Sequence, residues 1–178
     1  QWGPEEQFGA KCTYPTLLCG PDNSLYLTCR ESDVNPWVVN LYKKPPGRAW
    51  ARVGPLLRAQ RTGYSHYQEA MAWGPDFRTI HLSCRIYDGG QSRVVGYLRS
   101  PDLGKSWQRY DGAPVELPAT ADTVTAIASE KELNDLRCAN IDVDSDGIPH
   151  LVYCAATPAP SRAWIARPDE SGGWQHIS

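Results

Sequence analysis

Short apolar runs interrupted by turn residues recur along the whole chain. Runs such as Leu25–Thr28 show the period of two that is typical of a β-strand. The 15 glycines and 15 prolines separate these runs, and the chain has seven tryptophans but a single methionine. This pattern favours short strands and tight turns over helices and predicts an all-β protein.

Three segments follow the same plan: residues 14–30, 66–85 and 136–155. Each has an apolar run, a turn built from Asp with Gly, Pro or Asn, and a second apolar run that ends in Cys. A third short strand, a further turn and a Trp follow in each copy. The period of about 55–65 residues is close to that of propeller blades.

The repeat predicts one domain over residues 1–178, a partial β-propeller of about three four-stranded antiparallel blades. The length allows one good core and is too short for two ordinary domains. We expect blades at about residues 8–58, 62–115 and 134–178, with residues 113–135 as a longer connector on the face that carries the site.

One motif marks the turn between the third and fourth strands of the second unit. It is Ser100-x-Asp102-x-Gly104-x-x-Trp107, in "SPDLGKSW". Asp102 can accept backbone N–H bonds inside the turn, Gly104 allows an unusual backbone shape, and Trp107 can pack back over it. We therefore expect these four residues to be structural.

This motif resembles the Asp-box, or BNR repeat, of sialidase-like β-propellers. The stretches "SPDLGKSWQRYDGAPVELPAT" and "DVDSDGIPHLVY" are similar to BNR-repeat proteins that include the seven-bladed ulvan lyases. The resemblance implies cleavage of an acidic, uronic-acid polysaccharide by β-elimination. Those proteins are more than twice as long, and three blades cannot close a ring. The open blade faces therefore predict self-association through the two ends of the stack.

Blade topology gathers strand-one entrances and strand-two exits on one face, away from the Asp-box. β-Elimination needs a base, a proton donor and a cation for the carboxylate, and the resemblance implies His, Tyr and Arg in these roles. His66 is the candidate acid or base, Tyr67 its partner and Arg85 the carboxylate clamp. The expected substrate-binding residues are Tyr14, Arg30, Gln68, Tyr87, Arg137 and Asn140. The alternative is a polar rim with solvated or structural hydrogen bonds.

Two other chemistries are less well supported. A sialidase would need an Arg before Pro15, where Tyr14 stands, and its nucleophile pair cannot be assigned. "DVDSDG" imitates the start of a calcium loop, but Tyr153 occupies the place of the bidentate Glu. We expect a plain turn there, with no metal and no cofactor.

The six cysteines favour an extracellular or periplasmic protein, although the given chain shows no signal peptide. Counting outward from the hairpin turns predicts Cys12–Cys29 and Cys138–Cys154 disulfides. The alternative is six small buried thiols in a reducing compartment.

The net charge of −2 and the lack of a long apolar run exclude a basic nucleic-acid surface and a membrane-spanning helix. The expected partner is an acidic polysaccharide or glycan. The alternative function is a non-catalytic carbohydrate-binding or self-assembling structural module derived from such a propeller.

Overall fold

The computed structural model describes residues 5–9, 11–156 and 160–178, except the side chain at position 139, and is built from β-strands. It forms three four-stranded antiparallel sheets, the blades of a partial β-propeller. Within each blade the strands lie in chain order. The strands are β1 (Cys12–Cys19), β2 (Leu25–Glu31), β3 (Val38–Lys44), β4 (Ala51–Arg58), β5 (His66–Trp73), β6 (Ile80–Asp88), β7 (Gln91–Ser100), β8 (Thr125–Ser129), β9 (Arg137–Val143), β10 (Pro149–Ala155), β11 (Arg162–Pro168) and β12 (Trp174–Ile177). In the described part of the chain, no helix is long and apolar enough to cross a membrane.

An aspartate closes the turn between the first and second strands of every blade. Asp22 accepts a hydrogen bond from the Ser24 backbone N–H at 2.9 Å. Asp76 accepts from the Thr79 N–H at 2.8 Å, and Asp144 from the Ile148 N–H at 2.9 Å. The calcium-like sequence of the third blade is therefore a hairpin turn of the same type.

The Asp-box holds the turn that follows β7. Asp102 Oδ1 accepts from the Ser106 N–H at 2.8 Å and from the Ser100 hydroxyl at 2.9 Å, while the Gly104 N–H donates to Ser100 Oγ at 2.8 Å. Gly104 has φ +86°, and a Cβ there would lie 3.2 Å from Leu41 of the first blade. Trp107 is buried against the same blade.

The fourth strand of the second blade lies where we expected a connector. After the Asp-box, Gln108 makes a single bridge to Arg99, and the strand that extends the sheet is β8. Between them, Ala119 pairs with Leu57 at the edge of β4. The segment 113–135 therefore completes one blade and is hydrogen-bonded to another.

Two cores join the three blades. The first lies between blades one and two and includes Leu41, Leu57 and Leu82. The second lies between blades two and three and includes Tyr97, Leu151 and Tyr153. Burial of these apolar side chains fixes the blades against each other, and this fixes the inner strands β1, β5 and β9 around the site.

None of the six cysteines, all of which are described, is in a disulfide. The predicted Cys138–Cys154 bond is wrong, because a bulge in the β9–β10 ladder places Cys138 opposite Tyr153 and Cys154 opposite Arg137. Neighbouring strand residues point to opposite faces, so the two thiols face apart. The predicted Cys12–Cys29 bond is also not formed, and a bulge in β1 pairs Cys12 with Glu31.

Candidate ligand site at the mouth of the blades

The start of β5 and the end of β6 place the main candidate residues side by side. His66 pairs with Tyr87 across these two strands. His66, Arg85, Tyr87 and Arg137 line one open cavity of about 280 Å³, together with Tyr64. Blade two supplies four of these residues, and β9 of blade three supplies Arg137.

Arg85 fixes the orientation of His66. Its Nη1 lies 2.8 Å from His66 Nδ1, and its Nε donates to Ser92 Oγ at 3.1 Å. The Ser92 hydroxyl in turn donates to the Leu136 carbonyl at 3.0 Å. A guanidinium group can only donate, so Nδ1 of His66 is an acceptor and its remaining ring proton is on Nε2.

The imidazole of His66 is uncharged at neutral pH. Partial burial lowers its pKa, and the positive charges of Arg85, Arg30 and Arg137 lower it further. A neutral ring with its proton on Nε2 can donate a hydrogen bond to an oxygen atom in the cavity.

Arg30 extends the site into the first blade. Its guanidinium lies 4.7 Å from the Tyr14 ring centre and 4.8 Å from that of Trp37, and Nη1 donates to the Ser65 carbonyl at 2.9 Å. The Tyr14 ring meets His66 edge-on, with centroids 4.7 Å apart. These cation–π and ring contacts hold the arginine in place, and within the described residues it forms no ion pair with a carboxylate.

Arg137 is the most accessible cation of the site. Its side chain is 55% exposed and lies 3.0 Å from Asp135. Arg30 and Arg85 are buried. Among the described residues, Asp135 is the one carboxylate that forms an ion pair with any of these three arginines. We call the following seven residues the mouth cluster: Tyr14, Arg30, Tyr64, His66, Arg85, Tyr87 and Arg137.

Three predicted site residues lie outside the mouth cluster. Tyr67 follows His66 in the strand and so points to the other face, where it is buried and donates to the Trp37 carbonyl at 2.6 Å. Gln68 lines a neighbouring cavity between the inner strands, together with Glu69 and with Tyr14 of the mouth cluster. Asn140 is exposed and accepts from the Ile141 N–H.

A model of the BNR repeat-containing family matches residues 2–178. The chain belongs to the BNR repeat-containing family. No curated protein matches this BNR sequence.

Solved structures confirm the resemblance to the ulvan-lyase group at the level of the fold. A PL25 ulvan lyase superposes with a TM-score of 0.74 at 20% identity, over 93% of the BNR chain and 43% of the lyase. The same values hold for that lyase bound to -[GlcA(1-4)Rha3S]-. The polysaccharide lyase Uly1 gives a TM-score of 0.68 at 16% identity, over 93% and 40% of the two chains. The BNR chain thus spans less than half the length of these lyases.

Sequence reasoning missed three residues that shape this BNR site. Tyr64 lines the cavity, Trp37 packs on Arg30, and Ser92 holds Arg85. Tyr64 lies in the same strand-one entrance as His66, so the topology could have found it. Ser92 lies at the start of β7, and no pattern in the sequence relates it to Arg85.

Proposed function

We propose that the mouth cluster binds an acidic polysaccharide that contains uronic acid. The observation that carries this proposal is the charge of the site: three arginines surround an uncharged histidine, and Asp135 balances one of them. A low-dielectric pocket with excess positive charge favours an anionic ligand. The aromatic rings of Tyr14, Tyr64 and Tyr87 offer apolar surface for the sugar rings.

Arg137 is better placed than Arg85 to bind the carboxylate. Its guanidinium is exposed and can exchange Asp135 for a uronate, with two parallel hydrogen bonds. Arg85 is buried and donates to His66 and Ser92. We assign Arg85 the role of a positioning residue, which holds His66 with its Nε2–H directed to the ligand.

The site also contains the groups for β-elimination. Arg137 would neutralise the carboxylate, which makes the proton on the adjacent carbon easier to remove. A tyrosine of the mouth cluster, reacting as its phenolate, would accept that proton, and Tyr14, whose ring contacts His66, is the first candidate. The C–O bond on the next carbon breaks as the carbon–carbon double bond forms. His66 Nε2–H donates a hydrogen bond to the leaving oxygen, and the tyrosine returns the proton to that oxygen.

The solved relatives support this choice of ligand class. Both are named as polysaccharide lyases, and one is bound to a fragment that contains glucuronic acid. Glucuronic-acid polysaccharides, and ulvan among them, are therefore the first compounds to test.

Binding without catalysis is the second candidate function. It is favoured by Tyr67, the expected partner of His66, which is buried with its hydroxyl bonded to Trp37. A BNR module of this kind would recognise the glycan and release no product. Self-association and a location outside the cytoplasm stay predictions.

Product release separates these two functions. The chain is incubated with ulvan and other uronic-acid polysaccharides, and unsaturated products are followed by their ultraviolet absorbance. A lyase produces them, and His66→Ala reduces the rate by at least about a hundredfold, as expected for loss of a hydrogen-bond donor to the leaving oxygen. His150→Ala is the matched control, since His150 bonds Asp144 at the opposite end of the blades. If the folded protein binds the polysaccharide but releases no product, it is a binding module and not a lyase.

A further inference from the structure

Two thiols and a carboxylate converge on the first blade, on the face turned away from blade two. Cys12 comes from β1, and Cys29 and Glu31 come from β2, two residues apart and hence on the same face. The two sulfur atoms and a carboxylate oxygen all lie within 4.8 Å of one another. This group is not part of the mouth cluster.

The spacing of these atoms fits a tetrahedral metal ion. A zinc ion with Zn–S of about 2.3 Å and Zn–O of about 2.1 Å places the sulfur and the oxygen about 3.6 Å apart. The distance between Cys12 Sγ and Glu31 Oε1 is 3.5 Å. Two thiolates and one carboxylate also suit the borderline-soft character of zinc, whereas calcium and magnesium prefer oxygen alone.

The charge of the cluster also favours a divalent cation. Glu31 is 4% exposed, and in the described part of the chain it forms no ion pair with a cation. Its described hydrogen-bond partners, Cys12 and Tyr42, both donate to the carboxylate. A buried carboxylate without a positive partner is costly, and a divalent cation would supply the missing charge.

The first blade and the segment before β1 enclose most of the cluster. Cys29 is 1% exposed. Phe8, from the segment before β1, stacks on Trp50 with centroids 4.7 Å apart and contacts Tyr42 at 5.3 Å. A Cβ at Gly9 would lie 2.3 Å from Cys12 Sγ, so the backbone of this segment closely covers the thiol.

We infer that Cys12, Cys29 and Glu31 form a structural binding site for a zinc-like divalent cation. Two S–Zn bonds and one O–Zn bond form, the two thiol protons leave to solvent, and the carboxylate binds in its ionised form. The Tyr42 hydroxyl donates a hydrogen bond to Glu31 and so orients its carboxylate. The fourth position is left for water. The bound metal would fasten the segment before β1 to the first blade.

Burial affects how the metal must bind. It raises the pKa of Cys12 and, more strongly, that of Cys29, where Cys12 and Glu31 add to the effect. Both thiols are therefore protonated before the ion arrives, and binding must release their protons.

Metal content and thermal stability test the site. Protein is reduced, treated with a chelator, exchanged into Zn²⁺ and washed, and zinc per chain is measured by atomic emission. We expect one zinc per chain and a rise in Tm relative to the stripped protein, because the ion binds only the folded state. Co²⁺ in place of Zn²⁺ should give a thiolate-to-cobalt charge-transfer band in the near ultraviolet.

Matched variants locate the ion. Cys12→Ser and Cys29→Ser should lose the zinc and the cobalt band, whereas Cys154→Ser and Cys84→Ser, thiols of blades three and two outside this cluster, should keep both. Glu31→Gln preserves the shape of the side chain and should weaken zinc binding at least about tenfold. This variant tests the metal site if a serine variant does not fold. The proposal is overturned by no zinc uptake, by uptake that is unchanged in Glu31→Gln, or by a Cys12–Cys29 disulfide that persists in reductant.

Discussion

The two ends of the blades use charged side chains in opposite ways. At the turn end, aspartates dominate, and each bonds to its own turn: Asp22, Asp76, Asp102, Asp144 and Asp169. At the mouth end, arginines dominate, and they contact aromatic rings, a histidine and backbone carbonyls. The carboxylates at the first end are satisfied inside the protein, while the cations at the second end have charge available for a ligand.

This difference makes the turn end of the blades structural and leaves the mouth end available for a ligand. An aspartate whose oxygens accept two or more hydrogen bonds from its own turn has little capacity left for a ligand. An arginine held by ring faces keeps most of its charge uncompensated. The aspartates of the turn end therefore build the blades, and the arginines of the mouth end make the site.

The largest effect on stability is expected from removing Trp107, the buried ring at the turn end. Trp107→Ala should lower the free energy of unfolding by about 3–5 kcal/mol, because Trp107 is 2% exposed between two blades. Urea unfolding measures the loss. Trp174 is a half-buried ring at the edge of blade three, so Trp174→Ala should lower the free energy of unfolding by less. Equal losses would show that the Asp-box is not a special anchor.

The next largest effect on stability is expected from the carboxyl group of Glu69, which lies between the two ends. Burial raises the pKa of Glu69 to about 8, with the nearby Arg30 charge acting in the opposite direction, and both carboxylate oxygens are inaccessible. The folded pKa lies above the unfolded value, so the folded state binds the extra proton. This contribution to stability is fully present below about pH 4.5 and is lost as the pH rises through about 8.

Glu69→Gln should remove that pH dependence. We expect the variant to be more stable than the wild type by roughly 2–4 kcal/mol above pH 8 and similar to it near pH 4. Unfolding by urea across this pH range measures the difference, and Glu170→Gln is the exposed control. A parallel shift at all pH values would contradict the assignment to the Glu69 carboxyl group.

A smaller effect is expected from one carboxylate of the turn end. Asp102→Ala should lower the free energy of unfolding by about 1–2 kcal/mol, since three donors of the turn lose their acceptor. The mouth cluster should keep its affinity for the ligand, and this result tests whether the two ends are independent. A loss of binding at temperatures where the variant is folded would show that the two ends are coupled.

The blades could be predicted from sequence because every repeat carries the same turn chemistry. Asp22, Asp76 and Asp144 mark equivalent hairpins, and the apolar runs beside them have the strand period. The fourth strand of blade two could not be located in this way. Trp107 marks the end of the turn, but the chain makes one bridge from Gln108 to Arg99 of β7 before it leaves the sheet and returns as β8.

A bulge accounts for the error in the Cys138–Cys154 pair. In the register set by Val143 and Pro149, Cys138 would face Cys154, and one bulge moves it opposite Tyr153. Nothing in the sequence marks a bulge of this kind. It depends on how the ladder twists, so residues counted across it change faces.

The site was predicted only in part, for a similar reason. Topology placed His66, Arg85, Tyr87 and Arg137 at one end, where the structure brings them together. Tyr67 was chosen for its position beside His66 in the chain, although strand alternation sends it to the opposite face. Side-chain contacts between strands, such as Arg85 with Ser92, follow from tertiary packing and not from a local pattern.

The most direct test of the central claim is a binding measurement on the two ends. Isothermal titration compares a uronic-acid polysaccharide with its carboxyl-reduced form, for the wild type, Arg137→Gln and Arg167→Gln. Arg167 is a control at the turn end, where it bonds Gln175. We expect binding of the acidic form alone. The affinity should be at least about tenfold weaker in Arg137→Gln, or about 1.4 kcal/mol, and unchanged in Arg167→Gln. Equal binding of both forms, or equal loss in both variants, would contradict an acidic-glycan site at the mouth.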